Sequence, residues 1–266
     1  MRERPDLRAL RGFIFDMDGV IYRGQEVVPG AAEFVAHLRR AAIPFIYLTN
    51  NSSTPPDKVA ARLVAMGIPA TAAEIMTSAD VTAAEVRQAL TGRRALVIGE
   101  DGLRLALTAA GFTLVEDHRE ADVVVAGIDR QITYPRLREA ALAIRRGAPF
   151  YATNTDRTLP TELGLVPGAG AIVGFLEIAT DVQPTVIGKP SPGFFHHALR
   201  ALGAPAELTV AVGDRPETDI LGGQRAGLHT LAVLTGAGTA EEFAAMQPPP
   251  DWVFPGLAEV DAAYFG

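Results

Sequence analysis

Cysteine does not occur in the 266-residue chain. Its absence excludes disulfides, thiolate nucleophiles and cysteine-held zinc or iron–sulfur centres. Long apolar runs are missing too, and none approaches the roughly 18 residues of a membrane span. The opening MRERPDLRALRG is charged where a secretory signal would be apolar. Basic charge is in deficit, with 24 Lys and Arg against 31 Asp and Glu and a net charge of −7. A nucleic-acid polymer is therefore not expected as a partner, because phosphate backbones demand clustered cations. A small anionic ligand stays open, since a bound divalent cation inverts the local sign. What remains is ordinary for a globular protein: 48% hydrophobic and 21% charged residues, enough chain for one large domain or two modest ones. A cytoplasmic protein without a membrane partner is expected.

Short β-rich apolar runs alternate with longer segments of helical period, which predicts an α/β architecture with parallel strands. Strands are expected at Phe13–Asp16, Pro44–Leu48, Ala95–Ile98, Val123–Ala126, around Phe150, from Val186, at Leu208–Val212, Thr230–Leu234 and Trp252–Phe254. Between them lie helices, one with Phe34, Val35 and Leu38 on its apolar face and others near 101–110 and 134–146. Residues 152–174, with Pro160, Pro167 and several glycines, read as loop-rich. Boundaries near 80 and 183 make 1–80 plus 183–266 one discontinuous domain and 81–182 an insertion into it.

Chemistry concentrates at expected strand ends. FIFDMDGV places Asp16 and Asp18 directly after the first strand, and Gly19 permits a sharp turn there. Ligands of parallel α/β sheets bind at the carboxyl ends of strands, and paired carboxylates suit Mg²⁺, a hard cation. An Asx turn without chemistry is the ordinary alternative. An EF-hand is excluded, because no acidic residues follow at the later loop positions. The second strand ends in Thr49 and Asn50, whose hydroxyl and amide suit phosphate oxygens or a simple helix cap. Lys189 in VIGKPSPGFF is a surface charge unless carboxylates and a phosphate surround it. Asp214 in TVAVGDRPETDI ends another strand, with Asp219 placed to orient a metal site from behind.

DMDGV, LTNNSS, GKPSP and GDRPETDI, in this order, resemble the four motifs of the haloacid dehalogenase superfamily. The long insertion between the second and third is similar to the α/β cap of its class IIA branch, the NagD-like and p-nitrophenylphosphatase-type phosphatases. ATNTDRTLPTELGLVPGAGA resembles a segment of that cap. The resemblance implies a doubly wound, Rossmann-like parallel-sheet core, Mg²⁺ as cofactor and hydrolysis of a small phosphorylated metabolite through an aspartyl phosphate. It makes Asp16 the nucleophile and a metal ligand. Asp18 becomes the acid and base, with its backbone carbonyl on the metal. Thr49 and Asn50 hold the phosphoryl group, Lys189 neutralises its charge, Asp214 completes the metal site and Asp219 supports it. A homodimer through the cap is one arrangement found in the branch. The second aspartate, Asp18, argues against dehalogenation.

Two other functions share these motifs: a non-catalytic metal and phosphate module, which would have no need of Asp18, and a phosphotransferase with another acceptor. In the insertion, Asn154, Asp156 and Arg157 either select substrate or simply form a turn. Gly168, Gly170 and Gly174 imitate a dinucleotide fingerprint with the wrong spacing and are expected to let cap backbone approach the active site. His118 and His229 offer no constellation, adjacent His196 and His197 point apart, and Arg145 and Arg146 read as a solvated helix end.

Overall fold

The computed structural model describes residues 6–161 and 163–266. The first five residues of the charged N-terminus, and Glu162 of the cap-like segment, lie outside the described residues. Two compact units emerge, one of Met1–Thr49, Asp57–Met76 and Lys189–Gly266, the other of Asn50–Pro56 and Thr77–Gly188. The second is wider than 81–182 because the Ser78–Ala89 helix buries Ala79, Ala83 and Val86 against Leu103, Leu107 and Val123 within that unit.

The first unit is built on a six-stranded sheet ordered Trp252–Phe254, His229–Val233, Thr209–Gly213, Gly12–Phe15, Phe45–Thr49, Ile75–Thr77. Gly12–Phe15 pairs in parallel with Thr209–Gly213 on one side and Phe45–Thr49 on the other. All four of its residues are buried, as expected for a strand covered on both faces. The Ala31–Arg40 helix buries Ala31, Phe34, Val35 and Leu38, one stripe at the helical repeat. Phe34 meets Phe13 and Phe15 edge to face at 5.4 and 6.0 Å, and Tyr264 of the C-terminal Leu257–Phe265 helix closes the group. That aromatic layer makes the central strand, and whatever follows it, a rigid platform.

The second unit carries a five-stranded sheet ordered Thr185–Val186, Phe150–Ala152, Val123–Ala126, Arg94–Ile98, Thr113–Val115, all pairs parallel. Its core is separate, with Leu96, Ile98, Val124 and Phe150 packed against Ile144, Val173 and Leu176.

The loop-rich expectation for 152–174 is corrected. Thr158–Thr161 and Gly164–Pro167 form an antiparallel ribbon, and Ala169–Thr180 is a helix. Prolines fit here because each strand of a two-stranded ribbon has an outer edge that needs no N–H donor. Gly168 and Gly170 serve this segment, while Gly174 borders open space: a Cβ at Gly170 would lie 2.4 Å from the Thr155 carbonyl oxygen, so the helix start requires its absence. The sequence reading also lacked the Tyr22–Arg23 and Glu26–Val27 ribbon and the Ile75–Thr77 and Thr113–Val115 strands. Two- and three-residue strands are too short to display a period of two.

Candidate active site

Asp16 follows the Gly12–Phe15 strand, Thr49 ends the strand beside it, and Asp214 follows the Thr209–Gly213 strand on the other side. Parallel pairing brings all three out at the same edge of the sheet. Lys189, joined to Pro190 by a cis peptide, precedes the Pro192–Leu202 helix and is 4% exposed. Its ammonium donates to Asp16 Oδ1 and lies 2.7 Å from Asp219 Oδ1. Asp219 is buried in a single π-helical turn, Pro216–Ile220, where its Oδ2 accepts the Arg215 N–H at 3.1 Å. The residue expected behind the site thus touches the lysine directly.

Asp214 Oδ2 accepts the Ala237 N–H at 2.7 Å, whereas its buried Oδ1 has no hydrogen-bond partner among the described residues. Gly19, at φ +85°, takes the left-handed conformation glycine tolerates, and a Cβ there would fall 2.5 Å from Asp214 Oδ2. Carboxylate oxygens of Asp16, Asp214 and Asp219 lie within 4.8 Å of one another.

Three carboxylates, Asp16 half-buried and Asp214 and Asp219 buried, are balanced by one ammonium, and their protonation reflects the imbalance. Burial raises the Asp16 carboxyl well above its usual range, Asp219 and Asp214 add to this, and Lys189 opposes it. Asp214 is pushed up to about 6, by burial first and then by Asp219, against the pull of the Ala237 N–H, Lys189 and Arg215. Burial works against the Lys189 charge, yet Asp16 and Asp219 together hold its ammonium above the ordinary lysine range. A cluster with surplus negative charge, hard oxygen donors and an orphaned Asp214 oxygen fits a hard divalent cation.

Asp18 stands apart from this group and is open to solvent. Surrounding protein still raises its carboxyl, with Arg62, Lys189, Arg215 and the Tyr22 hydroxyl opposing. Tyr22, in the short ribbon, is buried and points its hydroxyl at Asp18 Oδ2 from 3.5 Å, and the Arg62 guanidinium covers the Tyr22 ring at 4.6 Å. Sequence reasoning missed Tyr22, Arg62 and Arg215; the only available signal was proximity of Tyr22 and Arg215 to a motif aspartate.

Asn50 belongs to the second unit. There its Nδ2 donates to Asp156 Oδ2 at 3.1 Å and its carbonyl accepts from Asn154 Nδ2 at 2.8 Å. Of the three insertion residues singled out, Asn154 and Asp156 gather on Asn50. Arg157 is exposed, and its carbonyl accepts the Gly168 N–H at 2.9 Å. The reading of His118 is corrected: its Nδ1 lies 2.7 Å from Glu139 Oε2, and Asp117 completes a group within 4.8 Å. Arg119 and Arg138 already pair with these carboxylates. His229 is likewise placed against Asp251, at 3.3 Å. Both pairings join residues far apart in the chain, which a local motif cannot reveal. Arg145 and Arg146 are exposed and hydrogen-bond to the Ala179 and His118 carbonyls.

Known proteins resemble this chain over nearly its whole length. The profile of haloacid dehalogenase-like hydrolases matches residues 13–113, and a second hydrolase profile of the same superfamily matches 186–260. An acid sugar phosphatase of Staphylococcus saprophyticus is 40% identical, over 96% of this chain and 98% of its own. The 5'-nucleotidase YutF of Bacillus subtilis is also 40% identical, over 95% of this chain and 98% of its own. A crystal structure of a glycerol phosphate phosphatase from Mycobacterium tuberculosis in complex with magnesium superimposes with a TM-score of 0.90 at 35% identity, covering 97% of this chain and 78% of that one. With aspartates and a lysine converging at one sheet edge and full-length relatives of this kind, the chain belongs to the haloacid dehalogenase-like hydrolases.

Proposed function

We propose that the protein is a Mg²⁺-dependent phosphatase that hydrolyses small phosphomonoesters through a phosphorylated Asp16. The observation that carries this reading is Lys189 buried between Asp16 and Asp219, in a carboxylate cluster where one Asp214 oxygen has no partner among the described residues. Asp16 and Asp214, with the Asp18 carbonyl, would hold the cation. When bound, it supplies positive charge that stabilises the phosphoryl group in transfer.

The chain's own residues do the rest. The Asp16 carboxylate attacks phosphorus as the ester P–O bond breaks, and the departing alkoxide takes a proton from Asp18. Water then gives a proton to the Asp18 carboxylate and attacks the phosphoryl group, which releases phosphate and restores Asp16. Splitting one displacement into two lowers the barrier to each. A raised carboxyl suits Asp18, because it must hold a proton in the first half of the cycle. Lys189 keeps Asp16 oriented and offsets charge on the equatorial oxygens. Thr49 and Asn50 hold the phosphoryl group. The second unit acts as the cap, and sugar phosphates and nucleoside monophosphates are the substrates to try first, since named relatives act on those classes.

Hydrolysis of p-nitrophenyl phosphate with Mg²⁺ tests the reading. EDTA and Asp16→Asn are each expected to reduce turnover to background; activity that survives Asp16→Asn removes Asp16 as nucleophile.

A further inference from the structure

Asn50, Ser78, Asn154 and Asp156 form a hydrogen-bonded group within the second unit. The Asn50 carbonyl accepts from Ser78 Oγ at 2.8 Å and from Asn154 Nδ2 at 2.8 Å. Its Nδ2 donates to Asp156 Oδ2 at 3.1 Å and more weakly to Oδ1 at 3.4 Å. Asn154 Oδ1 in turn accepts the Asp156 N–H at 3.1 Å, so one side chain fixes both the Asn50 carbonyl and the loop that bears Asp156. Ser78 and Asn154 are buried, and Ser78 opens a helix whose own N-terminus is held by the Thr77–Asp80 capping box. Asn50 is therefore gripped at its carbonyl and at its side chain from rigid neighbours.

Charge decides what that grip is for. The Asn50 amide bonds to a carboxylate, a charge-assisted contact stronger than a neutral one. A phosphoryl oxygen approaching the same amide would meet the Asp156 carboxylate beside it, and like charges at such range repel. Neither the amide nor Asp156 is suited to touch the phosphate itself.

We propose that Asp156, with Asn154 and Ser78, is a positioning residue for Asn50: it fixes the backbone that follows Thr49 for holding the phosphoryl group and acts on every substrate alike. The proposal rests on the phosphatase reading insofar as Asn50 holds that group. It replaces a substrate-selecting role for Asp156 with a uniform one.

The full-length wild type, Asp156→Ala, Asp156→Asn and Asn154→Asp are compared on p-nitrophenyl phosphate, a hexose phosphate and a nucleoside monophosphate. Inorganic phosphate affinity is measured alongside by calorimetry in Mg²⁺. Asp156→Ala is expected to lower kcat/KM about tenfold, the scale of a lost supporting contact, by one common factor for all three esters, and to weaken phosphate binding in parallel. Asp156→Asn keeps an acceptor oxygen and should lose less; Asn154→Asp removes the donor to the Asn50 carbonyl and should follow Asp156→Ala. A changed ranking of the three esters, or unaltered phosphate affinity in Asp156→Ala, overturns the proposal. Should Asp156→Ala lose its circular dichroism signal, the graded pair Asp156→Asn and Asn154→Asp decides. Wild-type protein that binds phosphate but cleaves no ester sinks the phosphatase reading alone, and the variants' phosphate affinities still judge Asp156. Wild-type protein that binds no phosphate ends both.

Discussion

At the residue scale, Asp214 gives the sharpest consequence. Its carboxyl stands at about 6 in the folded chain against 3.8 for an ordinary aspartate. Between those values the folded state binds more protons than the unfolded one, so metal-free stability falls as pH rises through the window and levels off above it. Asp16, raised in the same direction, adds to the slope. Calorimetric melting in EDTA is expected to show this decline, and Asp214→Asn to flatten it. Mg²⁺ should then raise Tm more at pH 7.5 than at pH 5, because protons compete for the same oxygens. An equal slope in Asp214→Asn would show that Asp214 is not its source. Asp18 invites a second measurement, because the Tyr22 hydroxyl steers it without replacing it. Tyr22→Phe is expected to lower kcat by about tenfold or less, a small part of the roughly 10²–10⁴ that acid–base help supplies, with KM little changed. A larger rise in KM than fall in kcat would place Tyr22 against the substrate instead.

At the element scale, the Gly170 approach to the Thr155 carbonyl is a tight demand outside the carboxylate cluster. Gly170→Ala should cost about 1–3 kcal/mol, the usual cost of overpacking, read as a lower urea midpoint with unchanged slope; full stability would mean that the loop yields freely. The same glycines show what a sequence can and cannot disclose. Long buried strands such as Phe45–Thr49 and Val123–Ala126, and the Phe34–Val35–Leu38 face, were legible because burial writes itself as an apolar run or a helical stripe. So were Asp16, Lys189 and Asp214 as residues of interest, since each stands at a strand end or loop of unusual composition. The Thr158–Thr161 ribbon was not legible, because its prolines and glycines are also the signature of loops. Nor was the grouping of Asn50 with Asp156, or of His118 with Glu139: such pairs are created by tertiary approach, and nothing in the intervening sequence encodes their distance.

At the scale of the whole molecule, two separate cores mean two separately tunable stabilities. The carboxylate cluster lies within the first unit alone. On the proposed reading, Mg²⁺ at a hundredfold excess over Kd would stabilise its site by about 2.7 kcal/mol, or about a hundredfold in globally limited amide exchange. Hydrogen exchange is expected to slow by that order in Thr209–Gly213 and Gly12–Phe15 and to stay unchanged in Val123–Ala126. Equal slowing in both sheets would show that the units open together.

The strand order has a consequence for synthesis. Gly12–Phe15 precedes the second unit in the chain, yet one of its two sheet partners, Thr209–Gly213, is translated only after that entire unit. Asp16 therefore stands on an unfinished seam until that strand has been made. A nascent chain stopped anywhere before Lys189 carries Asp16 without its ammonium partner. On the proposed reading, the order of assembly withholds reactivity, with no inhibitor needed, until Lys189 and Thr209–Gly213 have been delivered.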